Sequence, residues 1–374
     1  MNIVNFLWHF STGGIGKCFL TYDKIGDANP ILKVKSVCVI NDSAPCDVQP
    51  LIEQGIEIIH IKGSYDFSWM KRMNEIVKKE KPDAFFCHSH NGPIMLKLFS
   101  IIYWFNIPFV CTCHGFNPKP TFASHFWSWI VMRIWKSNWT KKVICVEQFT
   151  PPILIKNGLK KNKIVTVYNG IEPNIEYGSL NDSQFFELSG NDIHEDIPII
   201  ITASRLTRIK GIDYLIDALA TLKVRGVKFL YFCIGNGEEE EALKAQAKDR
   251  GLTDNDIRFM GYQSNVPEWL AACDVFALPS LEEFHSIAIL EAMRAKKAIV
   301  ATNIGGNPES LRNEQDALLV PSKDSKALAD ALERVLTEPK LREKLAASAH
   351  ERFMERFTID VMKNNLAREI LTAL

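Results

Sequence analysis

The sequence predicts an α/β protein built from two doubly wound domains, each a parallel sheet with helices on both faces. Three observations predict it. Strand-like apolar runs alternate with helix-like runs along most of the chain, and short connections join them, as parallel βαβ units require. The alternation breaks once, over residues 172–198, where Pro173, Gly178, Gly190 and Pro198 stand among polar residues. The glycine-rich turns fall after strands, where doubly wound sheets bind ligands. The length of 374 residues suits two domains at roughly 100–200 residues each.

In the first half, Ile3–His9 reads as a strand running into Ser11-Thr-Gly-Gly-Ile-Gly16. Strands follow at Ser36–Ile40 and Glu57–Ile61, then a helix at Phe67–Glu80 and a strand at Ala84–Cys87. Ile107–Cys111 is a strand ending at Thr112-Cys-His-Gly115, and Phe122–Lys142 reads as a helix. Strands Lys142–Glu147 and Ile164–Val167 close this half. Alternation restarts at Ile199–Ala203 and continues through strands Lys228–Ile234, Ile257–Met260, Val275–Leu278 and Ala298–Ala301. Helices at Ile212–Leu222, Glu238–Arg250, Val266–Ala272 and Ile287–Ala295 separate them. A helical tail, Ser325–Leu374, is punctuated at Pro339 and near Phe357-Thr358. The expected domains are residues 1–172, a linker over 173–198, residues 199–355, and a final helix over 356–374. Two such domains would face each other across a cleft, the default place for a ligand.

Composition bounds the function. Apolar residues make up 47% and charged residues 24%, which excludes collagen-like, low-complexity and disordered classes. Lys plus Arg and Asp plus Glu are both 44, so the chain as a whole is no polyanion binder, and no nucleic-acid partner is expected. The neutrality is uneven. Residues 1–174 carry 20 Lys/Arg against 12 Asp/Glu, and residues 175–374 carry 24 against 32. Nine cysteines without a CxxC pair read as buried free thiols of a reducing compartment. A metal site of Cys111, Cys113 and His114 is the sharper alternative. The start lacks a basic n-region, and the apolar stretch Ile94–Val110 is interrupted by Lys97, Asn106 and Pro108. A cytoplasmic protein is expected.

Ser11-Thr-Gly-Gly-Ile-Gly-Lys-Cys18 fails as a P-loop, because Ser11 replaces the first glycine and Cys18 the magnesium-binding hydroxyl. A close backbone approach to a ligand, or a plain tight turn, remains. The second half says more. Arg205 and Lys210 follow a strand and precede a helix, a phosphate-binding arrangement. Gly235-Asn-Gly237 ends the next strand, Glu283 and Glu291 stand eight residues apart, and Gly305-Gly306 follows a further strand. Asp254-Asn-Asp256 matches a DxD metal pattern but reads as a solvated turn.

Taken together, these motifs resemble the retaining glycosyltransferases of the GT-B fold, family 4 type, over nearly the whole chain. The resemblance rests on Ser204-Arg205-Leu206, Lys210-Gly211, Gly235-Asn-Gly237, Phe259-Met-Gly261, the Glu283–Glu291 spacing and Gly305-Gly306. In the first half it rests on Gly13-Gly14, His88, Thr112-Cys-His-Gly115 and Tyr168-Asn-Gly-Ile171. It implies two Rossmann-like domains, with the last helix crossing back to the first. It implies that Arg205 and Lys210 neutralise a departing nucleotide diphosphate, that Glu291 binds the ribose, and that Glu283 holds a hydroxyl of the donor sugar. His114 would touch that sugar from the first domain. The implied donor-binding set also includes Gly235, Gly237, Gly261, Tyr262, Phe284, His285, Ser286 and Ile287. Gly13, Gly14, His88 and Asn169 would line the first-domain side. A UDP-sugar donor, no metal cofactor, and a lipid-linked or growing surface glycan acceptor are expected.

Two departures stand out. Glu283-Phe-His-Ser286 replaces the family's Glu-Gly-Phe-Gly or Glu-Gly-Phe-Pro, placing Phe284 where glycine-only backbone angles are expected and making Glu282 a rival for the Glu283 role. Tyr168-Asn-Gly replaces Pro-Asn-Gly. A nucleotide-sugar 2-epimerase, which shares the architecture, and a non-catalytic sugar-nucleotide-binding subunit, suggested by Phe284 and His285, are kept as alternatives. His90, beside His88, is a weaker candidate.

Ala84 to Val146 contains no Asp or Glu, but holds Lys97, Lys119, Arg133, Lys136, Lys141 and Lys142, and Trp127, Trp129, Trp135 and Trp139 on or beside one helix. That suits peripheral binding to an anionic membrane surface. Packing of the tryptophans against the sheet is the alternative.

Overall fold

In the computed structural model the described residues are 1–10, 14–43, 46–63, 66–88, 91–116, 122–175 and 197–374, with backbone only at 122–124. They fall into two compact units, Met1–Gly170 with Ile359–Leu374, and Ile171–Thr358.

The first unit holds seven strands: β1 (Asn2–Trp8), β2 (Lys33–Asn41), β3 (Glu57–Ile61), β4 (Ala84–His88), β5 (Phe109–Cys113), β6 (Thr140–Cys145) and β7 (Ile164–Thr166). Their order is β3-β2-β1-β4-β5-β6-β7, and every pairing is parallel. Successive side chains of β1 face opposite ways, as strand geometry demands. Val4, Phe6 and Trp8 enter one core with Trp69, Phe85 and Phe99. Leu7 enters the other with Phe19, Cys38 and Ile40. Both faces are thus covered, which is why these strands read as nearly continuous apolar runs.

The second unit holds β8 (Ile199–Ala203), β9 (Leu230–Ile234), β10 (Ile257–Gly261), β11 (Val275–Leu278), β12 (Ala298–Thr302) and β13 (Leu318–Val320). The order is β10-β9-β8-β11-β12-β13, again parallel throughout. Strand order reverses between β1 and β4 in one sheet and between β8 and β11 in the other, the switch points where such sheets open a crevice.

Several elements differ from the sequence expectation. The helix expected over Phe122–Lys142 stops at Lys136, and β6 begins at Thr140. Lys163 donates its ammonium to the carbonyl of Ser137 at 2.6 Å and lies 3.4 Å from those of Trp135 and Lys136. A cation there satisfies the helix's last carbonyls. Helices Gly14–Asp23, Asn91–Ile102 and Thr150–Lys156, and strand β13, were not expected. The tail forms three helices, Ser325–Thr337, Pro339–Arg356 and Ile359–Ala373. Asp324 caps the first by accepting from the Ala327 amide at 2.9 Å. The third packs within the first unit, as the expected crossing back requires. There the Gly170 amide meets Met362 Sδ at 3.2 Å, and Lys142 lies 3.6 Å from Glu369.

Candidate functional site

In the second unit, the exits of β8, β9, β11 and β12 bring the expected residues together. After β8 the chain passes Ser204 and the exposed Arg205, makes a 3-10 turn at Arg208–Lys210, and enters helix Ile212–Val224. The Leu281 amide donates to the Ile209 carbonyl at 2.7 Å, tying this turn to the β11 exit. There the Lys210 ammonium donates to Glu283, and the Ser280 hydroxyl donates to the same carboxylate at 2.9 Å. Thr302 at the end of β12 donates to the Ser280 carbonyl at 2.6 Å, so a third strand fixes that serine. Glu283, not Glu282, therefore partners the lysine.

Two glycines make this closeness possible. Gly235 has φ +127°, and a Cβ there would lie 1.8 Å from the Ser204 carbonyl oxygen. Gly305 has φ +49° and would clash equally with the Glu283 carbonyl oxygen. Neither site admits a side chain without moving backbone. The Gly235 amide also donates to the Gly261 carbonyl at 2.8 Å, which joins the β9 and β10 exits. Gly237 follows in the same turn, its carbonyl accepting from the Glu240 amide at 3.2 Å.

Beyond Glu283, Ser286 caps helix Ile287–Arg294, its hydroxyl accepting from the Ile289 amide at 3.4 Å. Ile287 and Glu291 of that helix are buried. His285 is buried with its ring 5.4 Å from that of Phe357. Desolvation, reinforced by the Arg356 charge, depresses its pKa to about 3, so the imidazole is neutral at physiological pH. Phe284 is half-buried and is not among the described non-glycine residues with positive φ. The expected demand for glycine-only angles at Phe284 is thus corrected. Tyr262 is exposed.

In the first unit a second polar cluster forms. His88 ends β4, and its Nδ1 lies 2.6 Å from Thr112 Oγ1 while its Nε2 lies 2.5 Å from Asn5 Oδ1. Thr112 Oγ1 also lies 3.3 Å from His114 Nε2. The Tyr22 ring stacks on both imidazoles, 5.0 Å from His88 and 6.1 Å from His114, and its hydroxyl donates to Asn169 at 3.2 Å. Burial, then the neighbouring His114, hold His88 well below the usual histidine pKa. His88 and Asn169 are buried. His114 is partly exposed, and Gly14 is exposed at the start of its helix. Gly13 and His90 lie outside the described residues.

The two halves of the chain match two family models. Residues 47–175 match "Glycosyltransferase Family 4", and residues 184–352 match "Glycosyl transferases group 1". Together the two matches cover most of the chain and support a group 1 / family 4 type glycosyltransferase. A UDP-Gal:alpha-D-GlcNAc-diphosphoundecaprenol alpha-1,3-galactosyltransferase of Escherichia coli is 25% identical, the match covering 86% of this chain and 82% of that protein. The lipopolysaccharide core biosynthesis glycosyltransferase LpsE of Rhizobium meliloti is 32% identical over 45% of this chain and 48% of its own. The chain spans about half the length of LpsE and of other such curated relatives. HepE of Anabaena, solved in complex with UDP-glucose, superposes with a TM-score of 0.82 at 20% identity, covering 100% of both chains. The architecture is GT-B.

Other features of the chain bear on the sequence expectations. Within the Asp254-Asn-Asp256 turn, Asp256 accepts from Lys223 at 2.7 Å and from the Thr253 amide and hydroxyl, each at 2.8 Å. Burial opposes its ionisation, but these bonds and the Lys223 charge hold its pKa below the usual value. Among the described residues no three His, Cys, Asp or Glu side chains form a metal-ligand group. Cys111 is buried with its thiol 3.2 Å from that of Cys87, and Cys113 is also core.

The tryptophans divide. Trp127 and Trp129 are 51% and 57% exposed, whereas Trp135 is fully buried. Trp139 carries the Lys97 ammonium over its ring at 2.8 Å. Trp104, 93% exposed, was overlooked in the sequence. Helices Asn91–Ile102 and Phe122–Lys136 also expose Ile101, Ile102 and Phe126. No described helix is long and apolar enough to cross a membrane.

Sequence reasoning missed Asn5, Tyr22 and Ser280. Asn5 carried a signal, being the one polar residue inside Ile3–Trp8. Ser280 stands in the strand-end segment Pro279-Ser-Leu-Glu-Glu283, and Tyr22 carried no signal.

Proposed function

We propose that the chain transfers a sugar from a nucleotide-sugar donor, a UDP-sugar foremost, to a lipid-linked or growing surface glycan, with retention at the anomeric carbon. The observation that carries this reading is the Lys210–Glu283 pair, braced by Ser280, beside the exposed Arg205. When the anomeric C–O bond breaks, negative charge grows on the departing diphosphate. Arg205 and Lys210 are fixed cations able to stabilise it, so the reading needs no divalent ion. Glu283 and Glu291 are acceptors suited to sugar and ribose hydroxyls. The acceptor hydroxyl oxygen bonds to the anomeric carbon on the face the diphosphate leaves, and its proton passes to the leaving phosphate oxygen. His114 is assigned the role of touching the donor sugar. The E. coli relative's UDP-Gal donor and diphosphoundecaprenol-linked acceptor, and the UDP-glucose complex of HepE, support the substrate classes.

The exposed Trp127 and Trp129, with Arg133 5.3 Å from the Trp129 ring, support peripheral attachment to the anionic cytosolic face of a membrane.

A thermal-shift screen of nucleotide sugars tests the donor, because a ligand of the folded state raises its stability. The donor found is then incubated with a diphosphoundecaprenol-linked sugar, with and without chelator. Transfer with unchanged anomeric configuration in both supports the proposal. Isomerisation of the donor without acceptor would establish the epimerase instead, and donor binding without transfer or hydrolysis the non-catalytic subunit.

A further inference from the structure

We infer that the corner Tyr103-Trp104-Phe105 is a second membrane anchor, which inserts Trp104 into an anionic lipid surface and, with Trp127 and Trp129, fixes how the first unit lies on it. The inference rests on the peripheral attachment proposed above and adds the element that gives it an orientation.

The corner is built to show Trp104. Helix Asn91–Ile102 ends with the Phe105 amide donating to the Ser100 carbonyl at 3.0 Å, and Trp104 takes the left-handed position of that closure, with φ +61°. Glycine usually fills this position, because a Cβ strains the left-handed backbone. The other described non-glycine residues with positive φ are all polar: His9, Lys81, Lys296, Glu314 and Lys323. Trp104 gains little packing inside the fold to offset the strain, since it is 93% exposed. Its neighbours are held instead. Tyr103 and Phe105 lie against the buried Phe99, with ring centroids 5.1 and 5.6 Å away. A strained, exposed Trp on a clamped corner points to a contact outside the chain.

The surroundings decide which contact. Leu98, Ile101 and Ile102 are exposed on the helix that leads into the corner. Phe99 of that helix, Trp135 of helix Phe122–Lys136 and Leu154 of helix Thr150–Lys156 enter one core. The three helices therefore cover one face of the sheet, and their exposed sides look the same way. On that side stand Trp127 and Trp129 with the exposed Arg133, Lys136 and Lys156. Between Ala84 and Ile171 the sole acidic residue is Glu147, and it is buried, accepting from the Thr150 amide and hydroxyl at 2.9 and 2.6 Å. Apolar side chains among cations, with no exposed carboxylate in this stretch, match an anionic bilayer: its hydrocarbon takes the former and its head groups the latter. A second copy docked on the same face would set these cations against one another, which repels. Each helix returns from a strand exit to the next strand's start, so Trp104 stands towards the strand starts and Trp127 nearer the exits. One patch fixes contact; two patches apart fix orientation.

The test is cosedimentation of the full chain with phosphatidylcholine vesicles, with and without phosphatidylglycerol, at low and high salt. Wild type is expected to bind the anionic vesicles, and less so at high salt. Trp104→Gly gives the corner its favoured residue, so its thermal unfolding midpoint should be no lower than that of wild type. Its binding to anionic vesicles should nevertheless fall on the order of tenfold, as lost burial of a large apolar side chain implies. The double variant Lys136→Glu, Lys156→Glu should bind more weakly still at low salt and lose most of the salt dependence. Equal vesicle binding by wild type and Trp104→Gly overturns the inference and leaves attachment through Trp127 and Trp129 standing. Absence of binding by wild type overturns both. A dimer, seen by light scattering, that Trp104→Gly dissociates without changing vesicle binding would make the corner a contact between copies and overturn the inference too. Vesicle binding is read without donor or acceptor, so its outcome stands apart from that of the transfer reaction.

Discussion

Gly305 lies against Glu283 so closely that a Cβ would stand 1.8 Å from the Glu283 carbonyl oxygen. The β12 exit thus shapes the backbone that carries the lysine's partner. Gly305→Ala is expected to lose about 1–3 kcal/mol of stability from the positive φ alone, and more from the clash. Because the yielding backbone is that of Glu283, nucleotide-sugar affinity should fall too. Chemical denaturation and donor titration check the two losses; wild-type values in both would contradict the contact.

Lys210→Ala removes one cation from the leaving diphosphate and leaves Glu283 with Ser280 as its remaining partner of the pair described. A fall in kcat on the order of 10²–10³-fold is expected, the usual scale for one electrostatic stabiliser. Glu291→Ala should also cut turnover strongly. Steady-state rates with the cognate donor decide it, and near-normal turnover in either variant would refute that residue's role.

His285 makes stability depend on pH. Its folded pKa of about 3 lies below the unfolded value of 6.5. The unfolded chain therefore takes up a proton that the folded chain refuses, and stability falls as pH drops below 6.5 until the folded pKa is reached. Between pH 7 and pH 4.5 this group accounts for about 2–3 kcal/mol. His285→Leu should lose that part of the pH slope, read from urea unfolding at the two pH values.

The Asp254-Asn-Asp256 turn should prove structural. Asp256→Ala breaks the Lys223 pair and both Thr253 bonds, costing about 1 kcal/mol, since Lys223 is well exposed. Transfer rates should not change. A variant that folds normally yet loses activity with metal dependence would reverse this assignment.

Trp127 and Trp129 should differ from Trp135 in kind. The double variant Trp127→Ala, Trp129→Ala should fold normally and float less with anionic liposomes at low salt. Trp135→Ala should lose about 3–5 kcal/mol instead, as a buried large side chain does. Equal flotation of wild type and the double variant would remove the membrane proposal.

What the sequence made legible follows from where the signals sit. The strands stood out because both faces are apolar, and the second-unit site stood out because glycines and charges cluster at strand ends. Glu283 and Lys210 are 73 positions apart, yet each was marked by its own local motif. Helix Asn91–Ile102 was hidden inside a mostly apolar run, and β13 is three residues long, too short for a period to show. Gly14 and Gly16 lower helix propensity in Gly14–Asp23 and masked it. Asn5, His88 and Thr112 were illegible as a group because only the pairing of β1, β4 and β5 unites them.

The helix Ile359–Ala373 completes the first unit although all of Ile171–Thr358 precedes it in the chain. Protein synthesis therefore makes the second unit entirely before the first has its last helix. Until then the nascent first unit lacks Met362, Leu366 and Ile370, which end up buried. The first unit therefore waits with an incomplete core while the 188 residues of the second are translated.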